Sequence, residues 1–119
     1  MTLLRVLFVA FGFLAVGAEA QTIYLQCEYQ KVGVDDAKIV STEVTIDLDA
    51  KTVEQDGKMY SDKNVVITGN TVGFTKPGNQ YVGPIKKYIS REDLSYRSIF
   101  QRYVFEGNCE IAEPPERAF

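Results

Sequence analysis

The chain has 119 residues, with 13 Lys and Arg against 16 Asp and Glu and a net charge of −3. That mild acidity argues against a general affinity for nucleic acid or for an anionic membrane. Histidine is absent, which removes the commonest general base, the commonest metal ligand and every Ser-His or Cys-His nucleophile.

The first segment predicts export. Met1 to Arg5 carries one base, Val6 to Ala18 is apolar and uncharged, and Ala18-Glu19-Ala20 sets small residues where a signal peptidase reads. The apolar run is shorter than the roughly 20 residues a bilayer span needs. Residues 1–20 are therefore expected to be a signal peptide cleaved after Ala20, with a second candidate cut after Ala18. A lipid anchor would need a cysteine at the cleavage point, and the first cysteine is Cys27. The expected location is secreted or periplasmic, with no stable membrane anchor after cleavage.

Short strands follow. Ile23, Leu25, Cys27 and Tyr29 alternate with polar residues, so Thr22 to Lys31 reads as a half-buried strand. Val32 to Asp36 is a turn. A second strand runs from about Ile39 to Leu48, with Val40, Thr42, Val44, Ile46 and Leu48 on one face. Asp49-Ala50-Lys51 turns the chain, and Thr52 to Gln55 is a third strand ended by Asp56-Gly57. Met59 and Tyr60 lead to a hairpin of Val65–Thr68 and Thr71–Thr75 around Gly69-Asn70, where glycine first predicts a type II′ turn. Lys76 to Asn79 is a turn, Tyr81 to Arg91 is extended with a break at Gly83-Pro84, and Glu92-Asp93 turns into Leu94 to Arg97. Ser98 to Phe105 reads as one further strand, and Glu106-Gly107-Asn108 as a turn before Cys109. The fold class expected is all-β: a small antiparallel barrel or sandwich of about seven or eight strands. A single β domain is expected over 21–111, with 112–119, containing Pro114-Pro115, as a flexible tail.

Two cysteines in an exported chain point to a disulfide between Cys27 and Cys109. It would join the first strand to the last and close a loop worth about 4–5 kcal/mol in the chain-entropy account.

Candidate chemistry is sparse. Asp47 and Asp49 share a strand face, as paired catalytic carboxylates can, but solvated acids at the end of an amphipathic strand are ordinary. Asp47, Asp49, Glu54 and Asp56 fail the calcium-loop pattern, because Lys51 and Thr52 occupy its fifth and sixth positions. No catalytic residue, metal site or cofactor is expected. One segment stands out. Lys86, Lys87, Arg91, Arg97 and Arg102 are opposed only by Glu92 and Asp93 and are interleaved with Tyr88, Tyr96, Phe100 and Tyr103. A candidate interaction surface is therefore Lys86, Lys87, Arg91, Tyr96, Arg97, Arg102 and Tyr103, suited to an acidic protein or an anionic glycan. The plainer reading is a set of outward charges that guard sheet edges.

Two resemblances add to this. A cysteine in the first strand, Val44-Thr45-Ile46-Asp47-Leu48-Asp49 followed by Lys51-Thr52-Val53, the Ile89-Ser90-Arg91 strand and a closing Gly107-Asn108-Cys109 resemble short exported bacterial β-domain proteins of unknown function. That implies a bacterial source and a compact β fold, and no activity. Gly57-Lys58-Met59-Tyr60-Ser61 is similar to a loop of the periplasmic β-barrel inhibitors of C-type lysozyme, although this chain has no tryptophan. The function expected is an exported, non-enzymatic binding protein. The alternatives are an inhibitor of a cell-wall lytic enzyme and a carrier of a small apolar ligand.

Overall fold

A computed structural model describes residues 22–113; the expected signal peptide and the last six residues lie outside them. Among the described residues there are nine strands, one short 3₁₀ turn and no α-helix. The strands are β1 (Thr22–Lys31), β2 (Val40–Asp47), β3 (Thr52–Gln55), β4 (Lys58–Tyr60), β5 (Val65–Ile67), β6 (Thr71–Lys76), β7 (Ile85–Ser90), β8 (Ser95–Phe100) and β9 (Tyr103–Ala112). The 3₁₀ turn, Asp62–Asn64, joins β4 to β5.

All nine belong to one antiparallel sheet in the order β4-β3-β2-β1-β9-β8-β7-β6-β5. Every neighbour in that order is also a neighbour in sequence except β1 and β9, the two ends of the domain. Strand direction alternates along the sheet, so the two outermost strands, β4 and β5, run the same way. Side-by-side parallel strands need a crossover of about a dozen residues, and only 61–64 separate these two. An odd-numbered meander therefore leaves one seam unpaired, and here it falls in mid-chain. The sheet still curls almost shut. Tyr60 of β4 meets Phe74 of β6 across the seam with ring centroids 5.2 Å apart. Both edges are three residues long, which limits what another chain can pair with.

The core follows from the period of two. Leu25 and Cys27, Val44 and Ile46, Val53, Tyr60, Val72 and Phe74, Ile89, Tyr96 and Cys109 all point inward and are buried. Cys27 and Cys109 face each other directly in the β1–β9 register and are bridged, with Cα atoms 3.9 Å apart. The disulfide thus lies inside the barrel, at the join between first and last strands.

Several turns differ from expectation. Gly69 does not take a positive φ; instead the Thr68 hydroxyl accepts from the amides of Asn70 and Thr71, so the hairpin is closed by a threonine and is not type II′. The positive pair is at Asp56 (φ 49°) and Gly57 (φ 87°), which makes the β3–β4 hairpin. Ser98 to Phe105 is not one strand. The chain reverses at Gln101-Arg102, where Gln101 has φ 54° with no glycine to mark it.

Gly107 is not a turn residue; it lies in the middle of β9. Tyr29 on β1 and Tyr96 on β8 are both its register partners, and their rings stack over it with centroids 4.9 Å apart. A Cβ on Gly107 would lie 1.8 Å from the Glu28 carbonyl oxygen. This clash is with backbone, so a side chain can be accommodated only by parting β1 from β9. Gly107→Ala is accordingly expected to lower stability by about 2–4 kcal/mol, within the range for overpacking and backbone displacement. Urea unfolding with the disulfide intact measures it.

Candidate functional site

The strands place their turns at two ends. The loops at 32–39, 56–57, 77–84 and 101–102 share one end, here the loop end; the turns at 48–51, 68–70 and 91–94 lie at the other, beside Thr22 and Ala112. Charge divides the same way. Lys31, Lys38, Lys58, Lys76 and Arg102 outnumber Asp35, Asp36 and Asp56 at the loop end. Asp47, Asp49, Glu92, Asp93 and Glu113 outnumber Lys51 and Arg91 at the opposite end.

The seven candidate surface residues are not brought onto one face. Lys86 and Arg97 point outward from β7 and β8; Arg97 Nε stands 4.0 Å from Glu106 Oε2, an exposed pair that adds little to stability. Arg91 lies at the opposite end, where its Nη1 donates to the Thr68 carbonyl at 2.6 Å. Tyr96 is only 2% exposed and belongs to the core. Arg102 and Tyr103 are at the loop end, with Lys31 Nζ 4.2 Å from the Tyr103 ring centroid. Lys87 points into the barrel. The paired carboxylates do not form either: Asp47 Oδ1 accepts from the amides of Asp49 and Ala50 and serves the turn. Among the described residues, no group of three or more carboxylate or thiol side chains is placed to hold a metal ion.

Inside the loop end is a connected polar cluster that the sequence reading did not single out. The Thr42 hydroxyl donates to Asp56 Oδ2 at 2.6 Å and accepts from Gln55 Nε2 at 3.1 Å. Gln55 Nε2 also donates to the Tyr96 hydroxyl at 3.2 Å, and Gln55 Oε1 accepts from Lys87 Nζ. Asp56 Oδ1 accepts from the Glu43 amide at 3.0 Å. A carboxylate at the rim is thus linked to an ammonium inside through a hydroxyl and an amide. The aromatic wall is Tyr60 and Phe74 on one side and the Tyr29–Tyr96 stack on the other. The signal for it was the period of two: Ile85, Lys87 and Ile89 share a face, as do Val53 and Gln55, and that face is the core.

Burial sets the electrostatics. It lowers the Lys87 amine below the usual lysine range, Lys76 and Lys58 push the same way, and Asp56 pulls back. Burial raises the Tyr29 and Tyr60 hydroxyls, with Asp56 adding to both. Tyr96 is pushed up to about 12, first by burial and opposed by the hydrogen bond from Gln55.

A second feature lies outside. A groove of about 390 Å³ runs along β1 and β9, lined by Gln26, Glu28, Gln30, Glu106, Asn108 and Glu110 together with Tyr29, Ile39 and Gly107. Its charged residues are all acidic, where the loop end is basic.

Comparison with protein-family models, with curated proteins and with solved structures finds no match to this chain.

The Tyr96 shift has a consequence for stability. Below pH 10 the tyrosine is protonated both folded and unfolded. Between pH 10 and about 12 only the unfolded chain loses the proton, so stability falls with rising pH by about 3 kcal/mol over that window. Tyr96→Phe should start less stable by the lost Gln55 hydrogen bond and should be much flatter above pH 10, as read by urea unfolding across pH 9–12. Tyr29 and Tyr60 act in the same direction, and Lys87, whose amine is held below the usual lysine range, acts against them until the pH passes the ordinary lysine value.

Proposed function

We propose that the chain is an exported, non-enzymatic binding protein that engages an anionic partner, an acidic protein or an anionic glycan, through the loop end of its barrel. One observation carries this reading. Apolar side chains stand in solvent at that end, Tyr81 at 83% exposure together with Val32, Val34 and Val82, and the same end carries Lys31, Lys38, Lys58, Lys76 and Arg102. Exposed apolar tips with cations around them are what a binding face needs to desolvate and orient an anionic surface. The rest of the molecule is acidic, which makes the end electrostatically distinct.

Other observations support parts of the reading. A disulfide between buried cysteines suits an oxidising compartment and thereby export. The absence of histidine, with both cysteines bridged, speaks against acid–base or thiol catalysis. An interior filled by side chains such as Phe74, Tyr96 and Ile89 speaks against a small apolar cargo.

The acidic groove on β1 and β9 favours a second reading, an inhibitor of a cell-wall lytic enzyme, because Glu28, Glu106 and Glu110 suit a cationic enzyme surface. Gly57-Lys58-Met59-Tyr60-Ser61 forms the β3–β4 turn and β4 on the seam, away from that groove.

Heparin affinity chromatography separates the two. The mature protein is expected to be retained at low salt, and Lys31→Gln/Lys76→Gln/Arg102→Gln to elute early. Glu28→Gln/Glu110→Gln should leave retention unchanged or stronger. Passage of the native protein through the column at low salt would contradict the loop-end reading, and inhibition of a C-type lysozyme that is lost in Glu28→Gln/Glu110→Gln would replace it with the second.

A further inference from the structure

Lys87 is a lysine in a core position without a core lysine's usual partner. It sits inward on β7, between Phe74 of β6 and Ser98 of β8 in the register. Its ammonium has three donors. One is taken by Gln55 Oε1. Ring faces stand near it, Tyr60 with its centroid at 5.6 Å and Phe74 at 5.7 Å. Among the described residues the one ion pair within 4.0 Å is Arg97 with Glu106, so no carboxylate directly neutralises Lys87. Asp56 reaches it only through Thr42 and Gln55, and its oxygens are engaged by the Thr42 hydroxyl and the Glu43 amide.

Two further ammonium groups gather there. Lys58 Nζ lies 5.9 Å from the centroid of the same Tyr60 ring, and Lys76 follows Phe74, the register partner of Lys87, by two residues on β6, so it shares Phe74's face of the strand one step nearer the loop end; both ammonium groups lower the Lys87 amine. Like charges drawn together at a half-buried position oppose one another, and a leucine or methionine at 87 would pack on Tyr60 and Phe74 without that opposition. The lysine is also held in place. Gln55 gives both its amide hydrogens to Thr42 and Tyr96, which turns its carbonyl oxygen toward Lys87. Positive charge, spare donors and a fixed orientation are the requirements of an anion site.

We propose that the loop end holds a phosphate-type oxyanion between Lys87, Lys58 and Lys76. The proposal rests on the loop end being the anionic-partner face and names the group gripped there. The phosphate would supply the counter-charge that the folded chain lacks and accept the free ammonium hydrogens, with Tyr60 and Phe74 walling the site.

The test is a titration of the mature protein with inorganic phosphate at constant ionic strength, set against sodium chloride, following the Lys87 side-chain signals by NMR and the unfolding temperature by calorimetry. The expected result is a saturable shift of the Lys87 signals, a rise in its titration midpoint and a rise in unfolding temperature beyond that in chloride. Lys87→Met should keep or raise the basal unfolding temperature and weaken phosphate binding about tenfold or more. Lys58→Gln, an exposed change that leaves the fold intact, should weaken it less. Equal responses to phosphate and chloride, or an undiminished response in Lys87→Met, would overturn the site. Heparin retention without a phosphate response overturns the site and leaves the broader reading standing. Vesicles containing phosphatidylglycerol, compared with phosphatidylcholine alone, identify the source: Lys87-dependent binding to the former supports a lipid headgroup, and phosphate binding without vesicle binding supports a soluble ligand.

Discussion

The structure depends on the join between β1 and β9. These are the longest strands, at ten residues each, and they come from opposite ends of the domain. Pairing them costs the closure of a loop that spans most of the β domain, and the Cys27–Cys109 bridge, 82 residues apart in sequence, offsets much of that cost by imposing closure on the unfolded chain. Gly107 lets the two backbones come close, because the space a Cβ would need is taken by the Glu28–Tyr29 backbone, and its register partners Tyr29 and Tyr96 stack on one another. Because the ends are sealed and the strand count is odd, the unavoidable unpaired seam falls at β4 and β5, the shortest strands.

That placement shapes the loop end. Beside the seam, Tyr60 and Phe74 meet as aromatic side chains instead of as hydrogen-bonded strands. Lys87 reaches the same space from β7, and Gln55 from β3 fixes it. A regular, fully paired barrel would fill this position with aliphatic packing. Here it carries a polar chain from Asp56 to Lys87 in which every buried side-chain polar atom has a partner, a condition for such a network to specify one arrangement instead of loosening the core.

Much of this was legible in the residues. The limits of β1 and β3 follow from alternation, and the disulfide from the placement of two cysteines in the first and last strands. Turns without a glycine signature were not legible. Gln101-Arg102 lacks any marker, so one expected strand became the β8–β9 hairpin. Gly107 was misread because glycine marks a close approach as readily as a turn, and only the register tells the two apart. The candidate basic surface dissolved for the same reason: neighbouring residues on a strand point to opposite faces, so Lys86 and Lys87 end on different sides of the wall. Local composition showed a basic segment; pairing decided which of its charges meet Lys58 and Lys76 from elsewhere in the chain.

Native-state hydrogen exchange, resolved by residue, tests the central claim that the sealed join and the mid-chain seam set the order of stability in this barrel. Amides paired between β1 and β9 are expected to exchange only through global unfolding, while those of β4 and β5 exchange through local opening at much lower free energy. Protection of β5 equal to that of β1, or early opening of the β1–β9 ladder with the disulfide intact, would contradict the account.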